Sequence, residues 1–301
     1  MSDAIPETYV RERATDGRKD LRYPPLPDPL AVPVYDNHCH LEIADGPSTG
    51  SGAQGLTLAE QLDRAQAVGI LGVVQASGDI ESSRWAVAAA EADPRVLAAV
   101  AIHPNDAPTY AAAGRLDEAI AVVDELAARP RTRAIGETGL DYFRTEEPGR
   151  AAQHASFEAH IALAKKHGIA MQIHDRDAHD DVLSTLQRVG APERTVFHCF
   201  SGDAAMARIC AEAGYYLSFA GNVTFKNAQN LRDALAVTPR ERILVETDAP
   251  FLTPVPLRGR PNAPYLIPLT LRFMAAELGL DADELGAQIA ANTLEVYGSF
   301  A

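Results

Sequence analysis

The sequence predicts a (β/α)₈ TIM barrel, and three observations predict it. Eight short apolar runs of strand type alternate with segments of helical period. Composition does not shift along that repeat, and 301 residues is a length that α/β barrels commonly reach as one unit. The first run ends in His38-Cys39-His40, where a doubly wound open sheet would usually carry a glycine-rich phosphate turn.

Residues 1–31 are polar, then proline-rich ("RYPPLPDPL"), and read as an N-terminal extension, wrapped on the surface or partly disordered. Residues 32–301 form the barrel. Its strand runs are "VPVYDNHCHLE", "GILGVVQAS", "VLAAVAIHP", "RAIGETGLD", "IAMQIHD", "TVFHCFSG", "YYLSFAGNV" and "RILVETDAP". Alanine-rich amphipathic segments separate most of them, from "LTLAEQLDRAQAV" to "NAQNLRDALAV", and "LIPLTLRFMAAELGL" and "DADELGAQIAANTLEVYG" add two final helices. The Gly/Ser-rich stretch 46–55, after the first strand, is a polar spacer or a mobile lid.

Bulk properties narrow the function. The chain is 47% hydrophobic, enough for a large core, with no apolar run of membrane-span length and no signal-peptide core at its start. Cys39, Cys199 and Cys210 are too few and too odd in number for a disulfide framework. A soluble cytoplasmic protein is expected, with no membrane association and no obligate protein partner. The formal net charge of −14 excludes broad phosphate neutralisation, so any nucleic acid must be held locally, by a few arginines and bound cations.

A barrel of this type carries its chemistry at the C-terminal ends of the strands. Five of the nine histidines fall there: His38 and His40 on strand one, His103 on strand three, His174 on strand five and His198 on strand six. Glu137 ends strand four, with Asp141 beyond, and Asp248 ends strand eight. His154, His160, His167 and His179 lie on helical segments and read as surface residues. Singly, a histidine or carboxylate at a strand end is an ordinary hydrogen-bonded or capping residue. Together, His38, His40, Glu137, His174, His198 and Asp248 would bring uncompensated polar groups to one rim unless cations join them. Mixed imidazole and carboxylate donors suit Zn²⁺ or Mn²⁺, and Mg²⁺ with a more oxygen-rich shell. Six ligands are about right for two ions sharing a bridging carboxylate. Strand alternation turns Cys39 and Cys199 away from these histidines, toward the helix layer, as small core residues.

"DNHCHLE", "AIHP", "AIGETGLDYFR", "QIHDRDA", "HCFSG", "TFKNA", "ETDAPFLTPVPLRGRPNAP" and "NTLEVYG", in this order, resemble the TatD family of metal-dependent deoxyribonucleases in the amidohydrolase superfamily. The resemblance runs from about residue 33 to the C-terminus; residues 1–31 and the Gly/Ser-rich loop lie outside it. Asp175 departs from it, standing where many relatives have a small hydroxyl residue. The resemblance implies that His38, His40 and Asp248 hold one metal, His174 and His198 the second, and that Glu137 bridges them. The related phosphotriesterase group bridges with a modified lysine, and this strand has none.

The resemblance also implies phosphodiester hydrolysis at a DNA end, single-stranded or 3′, of the 3′–5′ exonuclease type. Asp248 is the expected general base, with Glu137 the other catalytic residue and Glu246 on the same face as Asp248. Candidate substrate-binding residues on the C-terminal loops are His103, Asn105, Arg144, Arg176, Lys226 and Arg258, with Arg260 beside the last; Tyr142 and Phe143 could stack a base. The same scaffold could instead hydrolyse another ester or an amide, notably as a D-aminoacyl-tRNA deacylase, or serve as a metal-stabilised binding module. A binding module would be expected to lack a ligand or the water base, and here all are present.

Overall fold

The structure, a computed structural model, describes residues 11–13, 20–45 and 55–300. Apart from Gly55, the Gly/Ser-rich stretch lies outside them, as does most of the chain before residue 20.

Eight parallel strands form one sheet in sequential order: β1 Val34–Cys39, β2 Ile70–Gln75, β3 Val96–Val100, β4 Thr132–Asp141, β5 Ala170–Arg176, β6 Thr195–Phe197, β7 Tyr216–Phe219 and β8 Ile243–Val245. The sheet curls until its edges meet. The backbone N–H of Asp248 donates to the His38 carbonyl at 2.9 Å, and that of His40 to the Ala249 carbonyl at 2.8 Å. The expected barrel is therefore present. Its helices are α1 Leu58–Ala67, α2 Ile80–Ala92, α3 Ala107–Ala112, α4 Leu116–Ala127, α5 Glu147–His167, α6 His179–Val189, α7 Ala204–Glu212, α8 Gln229–Val237, α9 Ile267–Leu278 and α10 Ala282–Tyr297. The short α3 was not expected; Pro108 supports its first turn.

Local chemistry sets the helix ends. Thr57 and Glu60 close a reciprocal capping box on α1, and Asp79 and Ser82 do the same for α2. Gly168 and Gly279 end α5 and α9 in the left-handed conformation that glycine adopts without strain. Packing then divides by strand parity. Val74, Leu97, Ala99, Ala134, Ala170, Val196, Tyr216 and Leu244 fill the barrel interior with Val296, Tyr297 and Phe300, while residues of opposite parity such as Val73, Met171 and Ile173 pack with the helices. Phe300 stacks on Tyr35 at 4.5 Å, near the start of β1.

One feature was not expected. A second, two-stranded parallel sheet pairs Arg11–Arg13 with Ile43–Asp45. Residues 20–31 do wrap the barrel: Leu21 and Leu30 are buried, Leu30 N–H donates to Val68 O at 3.0 Å, and the Tyr265 hydroxyl donates to Pro24 O at 2.7 Å.

Candidate metal centre

The rim chemistry depends on a register shift. Between Ile135 and Thr138, β4 carries one more residue than β5 opposite it, and Glu137 lies within that shift. Gly136 makes it possible, since a Cβ there would come within 2.5 Å of Gln172 Cβ. The shift aims Glu137 into the barrel mouth with its two oxygens facing different histidines. Oε1 lies 3.5 Å from His40 Nε2; Oε2 lies 2.8 Å from His198 Nε2 and 3.4 Å from His174 Nδ1. On the Oε1 side, the His38 and His40 Nε2 atoms stand 3.2 Å apart, and Asp248 Oδ1 lies 3.9 and 3.5 Å from them. All six expected ligand residues thus converge in two groups on either side of Glu137.

The surrounding hydrogen bonds decide which ring atoms face inward. His38 Nδ1–H donates to Gln172 Oε1 at 3.0 Å, because both Gln172 amide hydrogens are committed, to Asn37 O at 2.7 Å and to the Tyr297 hydroxyl at 2.8 Å. The His38 Nε2 lone pair is therefore presented to the site. His198 Nδ1–H points at Glu246 Oε1, 3.3 Å away, and His174 Nε2–H at Asp141 Oδ2, 3.1 Å away. Each turns its other nitrogen toward Glu137, an arrangement typical of metal-ligating histidine. Imidazole nitrogens crowded around a carboxylate in a buried mouth are compensated either by protons or by metal cations, and this mixed nitrogen and oxygen donor set fits divalent metal.

Charge follows from burial and neighbours. Burial pulls the His38 pKa well below its ordinary value. Burial acts the same way on His40 and His198, but the Asp248 and Glu137 carboxylates outweigh it at His40, holding it at about 9, and Glu137 and Glu246 hold His198 well above the ordinary range. Burial opposes ionisation of Glu137, and the imidazoles of His103, His198 and His174 overcome it. His103 is of a different kind. Its Nδ1 accepts from the Asn105 backbone N–H at 3.0 Å, so the neutral ring carries its proton on Nε2, 3.7 Å from Glu137 Oε2. Burial holds it neutral, at a pKa of about 3. In that tautomer it faces the site as a hydrogen-bond donor, and with Glu137 and His174 it also forms a trio close enough to hold a metal ion.

The other expected residues divide. Asn105 uses its side chain within the rim, donating to Asp141 Oδ2 at 3.1 Å and accepting from Thr145 Oγ1 at 3.3 Å, so it supports Asp141 instead of being open to phosphate. Arg144 and Lys226 are exposed on the loops after β4 and β7. The Arg176 guanidinium lies 3.9 Å over the Phe143 ring, which is 62% exposed, and Arg258 lies 4.0 Å over Phe225. Arg260 is drawn away, donating to the carbonyls of Arg22 and Tyr23. Tyr142 is enclosed by Arg150, His154 and Asp181, which leaves Phe143 as the open ring.

Two expectations, for Cys199 and His160, need correction. Cys39 is a core residue whose thiol donates to Val74 O at 3.7 Å, as expected. Cys199 is not in the helix layer: it follows the end of β6, has φ +41°, is partly exposed and takes a 3.6 Å contact from Asn222 Nδ2. Alternation holds only within a strand, and the backbone turns here. His160 is not a surface residue but fully buried, accepting from the Ile102 N–H at 3.1 Å and donating to Ser156 O at 2.7 Å. Asp175 points away from the His174 ring and pairs with His179 at 2.8 Å. Gln172 was missed altogether; its place two residues before His174 on one strand face was the available signal.

A parallel barrel with a histidine–carboxylate cluster at its C-terminal mouth is a setting for metal-assisted hydrolysis. The family described as TatD related DNase matches residues 35–298, and the chain belongs to that family. It is 42% identical over 269 residues to an uncharacterized metal-dependent hydrolase TatD of Mycobacterium tuberculosis, covering 88% of this chain and 98% of that one. It is 33% identical over 245 residues to the 3′-5′ ssDNA/RNA exonuclease TatD of Citrobacter rodentium, covering 79% and 91%. Among solved structures, the TatD homologue YJJV of Escherichia coli K12 superposes with a TM-score of 0.76 at 25% identity, covering 88% of this chain and 97% of that one. The protein is thus a TatD-family metal-dependent hydrolase. Among the described residues, no helix is long and apolar enough to cross a membrane.

Proposed function

We propose that the protein is a 3′–5′ exonuclease acting on single-stranded DNA ends, with two divalent ions, Zn²⁺, Mn²⁺ or Mg²⁺, held in its barrel mouth. One observation carries the reading: Glu137 offers one oxygen to the His38, His40 and Asp248 group and the other to the His174 and His198 group. His38, His40 and Asp248 would hold one ion, His174 and His198 the other, and Glu137 would bridge them. Bound there, the ions would lower the pKa of a water and offset the phosphate charge. Asp248, at the edge of the cluster, would be placed to orient a water there and accept its proton. His103 donates its Nε2–H to a phosphate oxygen, and because the ring is neutral it can do so without being titrated near neutral pH. Gln172, Asp141 and Glu246 keep three ligating rings in their tautomers. Arg144, Arg176, Lys226 and Arg258 supply the local positive charge that an acidic chain needs to hold a polyanion.

The test combines metal analysis of the purified protein with digestion of 5′- and 3′-labelled single-stranded DNA under added Mn²⁺, Mg²⁺ and Zn²⁺. Stepwise shortening from the 3′ end, abolished by chelator and by Glu137→Gln in a folded protein, is expected. Hydrolysis of D-aminoacyl-tRNA without phosphodiester cleavage, or full activity after chelation, would overturn the reading.

A further inference from the structure

Beside the metal centre, the loops after β7 and β8 enclose a cleft of about 270 Å³ lined by Phe225, Phe251, Leu252, Thr253, Arg258 and Arg260, among others. None of its aromatic residues takes part in the metal cluster. Phe251 joins the two, its ring standing edge-on to His40 with centroids 6.1 Å apart. The Arg258 guanidinium lies over the Phe225 ring at 4.0 Å.

The cleft is built rather than incidental. Asn262 Nδ2 holds the Phe251 carbonyl and, at 2.9 Å, that of Thr247, fixing the loop that carries Phe251. The Thr253 hydroxyl donates to Arg260 O at 2.7 Å, and Val255 N–H to Thr224 Oγ1 at 2.9 Å, which ties the β8 loop to the β7 loop. The two loops meet so closely that a Cβ on Gly221 would lie 2.1 Å from Leu252 O. Arg260 then anchors this wall to the N-terminal extension through the carbonyls of Arg22 and Tyr23.

We propose that this cleft is the subsite for the terminal nucleoside of the substrate, with its base against Phe225 and Phe251 and with Arg258 over its face or edge. Three features select that ligand. Aromatic rings and a guanidinium form the stacking surface that single-stranded nucleic-acid sites use. The volume lies just below the range of drug-sized pockets and suits one nucleoside, not a run of bases. Contact between Phe251 and His40 places the phosphate of a nucleoside seated here at the metal cluster. This inference rests on the nuclease reading and adds to it which nucleotide is recognised and where.

The metal-loaded enzyme is given 5′-labelled oligonucleotides ending either in a normal 3′ nucleotide or in a 3′ abasic residue. In the wild type, kcat/KM is expected to fall about tenfold with the abasic end, in line with the loss of one stacked base. Phe225→Ala and the exposed-residue variant Arg258→Ala should reduce that preference to about twofold or less. Calorimetry with deoxyadenosine 5′-monophosphate against deoxyribose 5-phosphate gives a second readout, with the base-bearing ligand tighter in wild type and the difference lost in Phe225→Ala. Equal cleavage of both ends, or equal binding of both ligands, would overturn the subsite while the nuclease reading stands. If neither oligonucleotide is cut, the nuclease reading fails, and the calorimetry decides the subsite separately.

Discussion

At the scale of single residues, identity and placement carry different information. His38, His40, His174, His198, Glu137 and Asp248 were legible because they interrupt apolar runs at the ends where a barrel gathers its chemistry. Gln172 was not, because its role depends on Asn37 and Tyr297, 135 and 125 residues away in the chain. Gln172→Leu leaves His38 Nδ1–H and the Tyr297 hydroxyl without that partner. Metal affinity by chelator competition should fall about 10- to 100-fold, with Gln172→Glu, which keeps an acceptor for His38, nearer wild type; unchanged affinity in Gln172→Leu would remove the positioning role. His160 makes a prediction in pH. Burial lowers its pKa from 6.5 to about 4, so the native ring stays neutral where the unfolded one takes up a proton. Its contribution is complete above pH 6.5 and is lost as pH falls toward 4, a change of at most roughly 3 kcal/mol. Denaturant titrations across that window should give a flatter profile for His160→Gln, and identical profiles would count against the assignment.

At the scale of elements, helix boundaries followed local chemistry and strand boundaries did not. Capping residues such as Asp79 and Asp203 act within three residues of themselves, so sequence reveals them. Strand ends depend on neighbours: β6 stops at Phe197 and β8 at Val245, so His198 and Asp248 sit on the loops just beyond. The same limit explains Cys199, where alternation was carried past the strand's last residue. The extension is an element whose packing only the fold reveals. Removing residues 1–31 uncovers surface beneath Leu21 and Leu30 and takes the Pro24 carbonyl from the buried Tyr265 hydroxyl. Each lost contact is worth on the order of 1–3 kcal/mol. Thermal unfolding should shift down by at least about 5 °C; an unchanged Tm would mean that the extension only rests on the barrel.

At the scale of the whole molecule, the acidic balance and the proposed substrate set a quantitative expectation. A chain of net charge −14 with four candidate phosphate-binding cations on its rim loops, Arg144, Arg176, Lys226 and Arg258, should make few phosphate contacts. The logarithm of its DNA affinity should then fall with the logarithm of salt at a slope of magnitude below about 3, since single strands lose roughly 0.7 per contact. A slope near those of basic DNA-binding proteins would point to a broader surface than the rim. The sequence by itself determined the eightfold β/α repeat and the residue types at the barrel mouth, because strand and helix periods and metal-ligand chemistry are local properties. Only the tertiary structure decided that Glu137 faces both ways, that Gln172, Asp141 and Glu246 set the histidine tautomers, and that Arg260 buttresses an aromatic cleft. Those are contacts between segments far apart in the chain, and they exist only once the barrel closes.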